Sequence, residues 1–159
     1  MSKILVSYAT KGGDTKEVAE FIADILKADV IEAKNLNEND LNSHDGFIFA
    51  ASTHGDGQIF ANFDDKLGLL NKTDFNGRKV ALVGVGNQER HGNDFCSGLS
   101  AFLPVLKKAK IIGATDANGY KFNFSRSFIN GKFIGLVVDF KGDSDWKSRA
   151  EKWAESLNF

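Results

Sequence analysis

The sequence predicts an α/β fold: a doubly wound five-stranded parallel sheet in the order 2-1-3-4-5, with helices on both faces. Apolar runs that do not alternate, such as Ile4-Leu5-Val6 and Phe47-Ile48-Phe49-Ala50-Ala51, describe strands covered on both sides. Between these runs, apolar residues recur at helical spacing, so the strands connect through right-handed crossovers. A length of 159 residues suits one domain, 1–159, with one core.

The first strand spans Lys3 to Tyr8. Ala9 to Asp14 turns the chain into a helix opened by Thr15, on which Val18, Ala19, Ile22, Ile25 and Leu26 make one apolar face. A second strand is expected near Asp29 to Glu32 and a third over Asp45 to Ala51. A glycine-containing loop then leads to a helix or distorted helix through about Phe63 to Leu70. Asn76-Gly77 turns into a fourth strand, Lys79 to Val85, and the loop Gly86 to Asn93 precedes a helix around Asp94 to Lys108. Pro104 demands a kink or restart there, because proline lacks an amide donor and crowds the preceding turn. Ile111-Ile112 begins the last strand, Phe133 to Phe140 continues or resumes it, and Asp143 to Leu157 closes the chain as a helix. Asp116 to Gly131 reads as an insertion within that last strand.

Composition narrows the function. No run of 18 apolar residues exists, so no membrane span is expected, and the start passes into a strand without the pattern of a signal peptide. The single cysteine, Cys96, excludes an internal disulfide or a four-thiolate zinc site and agrees with a reducing, cytoplasmic location. The net charge is −1, but residues 1–65 carry twelve acids and five bases, while residues 66–159 carry nine acids and fifteen bases. Neither half has a dense basic run interleaved with aromatics, so nucleic acid is not the expected partner. His44, His54 and His91 lack metal-ligand spacing, and no histidine–acid arrangement activates Cys96, so neither metal ligands nor catalytic residues are assigned. Trp146 and Trp153, on the closing helix, are read as packing residues.

Open α/β sheets bind ligands at the carboxyl ends of strands where the topology reverses. Three loops reach that edge. In Thr10-Lys11-Gly12-Gly13-Asp14-Thr15, hydroxyls and close-approaching amides meet a helix start, chemistry that suits a phosphate. An ordinary strand-to-helix turn with Asp14 or Thr15 as cap is the alternative. The loop is neither a Walker loop nor a dinucleotide fingerprint, which sets a nicotinamide dehydrogenase aside. The second loop is Ser52-Thr53-His54-Gly55-Asp56-Gly57 and the third is Gly84-Val85-Gly86-Asn87-Gln88-Glu89-Arg90-His91. His54 and His91 either flank a flat ring, pair with each other, or stand exposed.

On these motifs the chain resembles the flavodoxin family over essentially its whole length. Thr10, Gly13 and Thr15 match the family's hydroxyl-rich phosphate loop, with Gly12 in place of a hydroxyl and Asp14 at the variable place. The second loop resembles Ser-Thr-Trp-Gly-Asp-Gly, and the third resembles Gly-x-Gly-Asp-Gln with its following tyrosine, here His91. Phe95-Cys96 matches the segment after that loop. Asp116-Ala117-Asn118-Gly119-Tyr120-Lys121-Phe122, Ser125, and Gly131 to Asp139 resemble the long-chain members, whose last strand is divided. The resemblance implies flavin mononucleotide (FMN) held by the three loops and Phe95. It implies that the Gly55–Asp56 peptide meets flavin N5, that Asn87 offers the pyrimidine ring a carbonyl in place of a carboxylate, and that His54 and His91 stand where Trp and Tyr flank the ring. The implied function is electron transfer, one electron at a time, with no substrate of its own. Redox partner proteins would dock on the acidic front half, including Asp56, Asp64 and Asp65, and a monomer is expected. Two alternatives are a specialised activator of one client enzyme, and a regulatory module that keeps the fold without FMN.

Overall fold

The structure, a computed structural model, describes residues 3–10, 12–54, 58–59, 61–87, 92, 95–117 and 119–159. In chain order the elements are β1 (Ile4–Ala9), α1 (Asp14–Leu26), β2 (Asp29–Glu32), a 3-10 turn (Ala33–Asn35), α2 (Glu38–Asn42) and β3 (Gly46–His54). Next come β4 (Gln58–Ile59), α3 (Ala61–Asp64), α4 (Leu67–Lys72), β5 (Lys79–Gly86) and a 3-10 helix (Ser97–Val105). The chain ends with β6 (Lys110–Ile112), β7 (Phe128–Ile129), β8 (Lys132–Phe133), β9 (Leu136–Asp139) and α5 (Trp146–Ser156).

The sheet runs β2-β1-β3-β5-β6, and every pair along that path is parallel. Lys79 to Ala81 of β5 pair with β6, whereas Val83 to Gly86 pair with β9. Two short strands therefore share the fifth place, which is the expected order with its last strand interrupted. The interruption holds the antiparallel hairpin β7–β8 and a bridge from Thr115 to Phe133. Phe133 thus belongs to the hairpin, and the strand resumes only at Leu136. The chain passes so close to β5 before resuming that a Cβ on Gly135 would run into the Leu82 carbonyl.

Side-chain alternation divides the core. Leu5, Phe47, Phe49, Val80 and Leu82 turn to the face covered by Phe63, Leu70, Phe75, Leu99 and Phe102. Ring centres of Phe49 lie 5.8 Å from Phe63 and 5.6 Å from Phe102. Removing each such ring from water contributes about 1.5–3 kcal/mol. Val6, Tyr8, Ile48, Ala81 and Val83 face the other way, against Val18 and Ile22 of α1 and Trp146 and Trp153 of α5. Helices on both faces and buried tryptophans agree with the sequence reading. A third cluster, Phe95, Cys96, Tyr120, Phe133 and Val137, ties the insertion to the sheet. Among the described residues no helix is long and apolar enough to cross a membrane.

Some elements differ from expectation. The segment expected as a helix from Asp94 to Lys108 is a 3-10 helix from Ser97, preceded by Cys96 at φ 53° and containing Pro104. Proline removes an α-helical bond in that interior. The helix expected, straight or distorted, from Phe63 to Leu70 takes the distorted form, divided at Asp65-Lys66, where the Lys66 Nζ donates to the Leu36 carbonyl at 2.9 Å. α2 arises from a capping box: Asn37 Oδ1 accepts from the Asp40 amide at 3.0 Å, and Asp40 Oδ2 accepts from the Asn37 amide at 3.1 Å.

Candidate functional site at the carboxyl edge

The register brings three strand ends level. Ala9 pairs with Ala51, Ala51 with Gly84, and Ser52 with Val85, so the end of β1 at Ala9-Thr10 lies level with the last residues of β3 and β5. β1 lies between β2 and β3, so successive connections from it diverge to opposite sides and open a crevice.

The first loop has an available helix end. α1 starts at Asp14, with Gly13 as N-cap at φ 96° and no side-chain cap, so its leading amides are not taken by a capping side chain. The N-cap is thus glycine, in a conformation that L side chains adopt only with strain, and not Asp14 or Thr15 as the alternative reading of the turn would have it. Thr10 Oγ1 accepts from the Gly13 amide at 2.9 Å, which leaves the threonine O–H as a donor. A Cβ on Gly12 or Gly13 would meet nothing within 4 Å, so the backbone is open to close approach. Thr15 is buried in the first turn, and Asp14 is half-buried beside it. Asp14 and Glu17 both complement the positive end of the helix. Lys11 lies outside the described residues.

In the second loop, Ser52 and Thr53 are half-buried near the end of β3. Thr53 Oγ1 accepts from the Gly98 amide at 2.9 Å and so ties the strand to the 3-10 helix. The His54 backbone pairs with Gln58; Gly55, Asp56 and Gly57, together with the His54 side chain, lie outside what is described. In the third loop, Gly86 and Asn87 are half-buried, and His91 lies outside the described residues. The glycines here have a packing reason that the motif alone does not reveal. A Cβ on Gly84 would sit 3.0 Å from Cys96 Cβ, and one on Gly86 would sit 3.1 Å from Cys96 Sγ.

Phe95 is fully buried, with its ring centre 5.6 Å from Tyr120 and 6.0 Å from Phe133. Its ring is committed to the third cluster, so what Phe95 offers a ligand is backbone. Burial pushes the Cys96 thiol up, and the nearby Asp139 carboxylate adds to the rise, so the sulfur stays protonated and packs as an apolar group.

Sequence reasoning missed the network beside this edge. Tyr120 Oη donates to Asp143 Oδ2 at 2.7 Å and accepts from the Asp139 amide at 3.0 Å. Arg149 Nε donates to the same Asp143 oxygen at 3.2 Å, with the guanidinium 3.9 Å from the Tyr120 ring centre. Burial raises the Tyr120 hydroxyl above its ordinary range. Asp139 pairs in register with Gly86, so the network braces the last strand behind the third loop. His44 sits at the opposite end, with Nε2 2.8 Å from Asp29 Oδ2 and Nδ1 2.7 Å from the Asp40 carbonyl. Among the described residues no cluster of histidine, cysteine and acids could hold a metal.

The flavodoxin family model matches residues 6–153. The chain belongs to the flavodoxin family. It is 31% identical over 159 residues to a flavodoxin of Helicobacter pylori, covering 99% of this chain and 97% of that one. It is 32% identical over 167 residues to flavodoxin 1 of Azotobacter vinelandii, covering 99% and 96%. The crystal structure of Fusobacterium nucleatum flavodoxin bound to flavin mononucleotide superposes with a TM-score of 0.91 at 30% identity, covering 98% of this chain and 96% of that one. For a flavodoxin, the uncapped start of α1 and the open backbone at Gly12 and Gly13 fit a phosphate monoester, because a helix start without a side-chain cap offers its leading amides to an anion.

Proposed function

We propose that this flavodoxin binds FMN at the carboxyl edge of its sheet and carries electrons between partner redox proteins, without turning over a substrate of its own. The observation that carries the proposal is the first loop, where Gly13 at φ 96° leaves α1 uncapped beneath open backbone. When bound, the flavin supplies the redox chemistry, and the protein supplies anchoring, orientation and field. Thr10 and the leading amides of α1, with Lys11 and Thr15, hold the phosphate. Gly12 and Gly13 allow its approach, and Asp14 completes the turn. Ser52, Thr53 and the Gly55-Asp56-Gly57 segment take the flavin edge, while Gly86 and the Asn87 carbonyl face the pyrimidine ring. Imidazoles from His54 and His91 flank the ring system, and Phe95 supports the third loop from below.

The interrupted last strand, with residues 113–135 between β6 and β9, supports placement among the long-chain flavodoxins. The protein works as a cytoplasmic monomer of one domain, a setting that suits its one buried, unpaired cysteine. Partners meet the acidic front half near Asp56, Asp64 and Asp65, and the association slows as salt rises.

Calorimetry on the apoprotein tests the central claim. FMN binds in a one-to-one ratio and more tightly than riboflavin, and Thr15→Ala weakens FMN more than riboflavin. Equal affinity for the two ligands removes the phosphate site; no binding of either removes the carrier function and leaves a module that keeps only the fold.

A further inference from the structure

The end of the sheet opposite the flavin edge is cationic. Lys3 precedes β1, Lys79 begins β5, and Lys110 begins β6 in register with Lys79. Beside them lies a cavity of about 440 Å³, between the loop after α4 and the turn before β6. Lys72, Lys107 and Lys108 line it, all three exposed, over a floor that includes Phe75 and Pro104. Among the described residues none of these three lysines has an ion-pair partner.

The acids at this end are engaged locally. Asp29 meets His44 Nε2 at 2.8 Å, Asp45 accepts from the Lys3 amide at 3.1 Å, and Asp74 accepts from the Asn76 amide at 3.0 Å. Asp74, the one acid lining the cavity, therefore turns one carboxylate oxygen back to its own turn. Three lysines against one aspartate give this concave surface a net positive charge, which attracts an anion.

We propose that this groove docks an acidic segment of a partner protein, holding the carrier by its amino edge while the flavin edge stays free. A protein segment fits better than nucleic acid. The cavity has room for a few side chains rather than a strand, it presents no arginine, and its phenylalanine is buried rather than offered for stacking. A long polyanion would also meet the acidic front half of a chain whose net charge is −1. A short acidic segment touches the cationic end alone. β3, nine residues long, spans about 26 Å between the two edges, so an occupant of the groove does not reach the flavin loops.

The probe is a fluorescein-labelled poly-glutamate peptide, titrated against the protein with and without FMN while backbone amides are followed by NMR. The peptide should bind both forms equally, less tightly as salt rises, with shifts confined to residues 71–76 and 104–108. The triple variant Lys72→Gln, Lys107→Gln, Lys108→Gln should weaken it by about tenfold or more, and Lys141→Gln should not change it. Should the triple variant fold poorly, Lys107→Gln alone should still weaken the peptide measurably. Undiminished binding by these variants, shifts elsewhere, or no saturable binding overturns the proposal. So does displacement by an oligothymidylate of equal charge at lower concentration, which would make the groove a nucleic-acid site. Because the apoprotein is titrated too, the result is independent of whether the chain binds FMN.

Discussion

Gly13→Ala isolates the backbone conformation on which the phosphate site depends. Gly13 holds φ 96°, and nothing lies within 4 Å of where a Cβ would be, so the substitution creates no clash with a neighbour. Its whole cost is torsional, about 1–3 kcal/mol for an L-residue held there. Gly12→Ala is the matched control. Its surroundings are equally open and its φ is not positive, so it stays within about 0.5 kcal/mol of the parent. Urea unfolding of the apoproteins reads this difference directly, and on heating it corresponds to about 2–4 °C per kcal/mol at this chain size. FMN at a hundred times its Kd adds about 2.7 kcal/mol to the parent. If Gly13→Ala turns the leading amides of α1 away from the phosphate, that increment shrinks by about 1.4 kcal/mol for each tenfold loss of affinity. Equal stability of the two apoproteins would refute the torsional argument. Equal FMN increments would refute the role of this turn in binding.

Three further outcomes follow from other parts of the molecule. Gly135→Ala drives a methyl group into the Leu82 backbone and should cost about 3 kcal/mol, at the upper end for overpacking, with a matching fall in the urea midpoint; a fall of less than a third of that shows that the last strand can shift aside. Tyr120→Phe removes a donor to Asp143 and the acceptor of the Asp139 amide, costing about 1–3 kcal/mol near neutral pH. Burial favours the neutral form of Asp143, yet bonds from Tyr120, the Asp145 amide and Arg149 hold its carboxyl below the ordinary value. Its contribution is therefore present above about pH 4 and lost as pH falls through the lower folded value, so the Tyr120→Phe deficit should narrow on acidification; a constant deficit means that the Asp143 carboxylate is not involved. His54→Trp and His91→Tyr should each lower the potential of the second one-electron step and flatten its pH dependence around the histidine range, and an unchanged potential in both removes the histidines from flavin tuning.

The order of the sheet was legible because fully covered strands leave continuous apolar runs, and those runs mark β1, β3 and β5 within a residue or two at their starts. The ends were less so. β3 continues to His54 because its last residues pair with Gln58-Ile59, a partner that apolar pattern cannot announce. The 3-10 helix looked α-helical because Leu99, Phe102, Val105 and Leu106 recur at spacings common to both forms. The Thr10 to Thr15 turn could be placed from its glycines and hydroxyls. The choice of Gly13 over Asp14 as N-cap depends on φ, which residue type suggests but does not determine. In the sequence Gly84 and Gly86 belong to a ligand-loop motif, whereas in the structure their missing side chains make room for Cys96. The Tyr120–Asp143–Arg149 network joins residues scattered over the insertion and α5, so no local spacing marks it.

The two ends of the sheet differ in how their polar groups are used, and that difference assigns them separate work. At the amino end, Lys72, Lys107 and Lys108 outnumber Asp74, the one acid lining the groove, so the field there is positive. At the carboxyl end, the first loop keeps a helix start uncapped and its backbone open, an arrangement that favours an anion within the crevice. The strands between are covered on both faces by close-packed side chains, and substitutions that share no partner across such a distance act additively. Combining Gly13→Ala with the triple lysine-to-glutamine variant should therefore reduce FMN affinity and acidic-peptide affinity by the same factors as either change alone. A combined loss larger than the product would mean that the sheet transmits strain between its edges, and the two functions would then have to be treated as one coupled site.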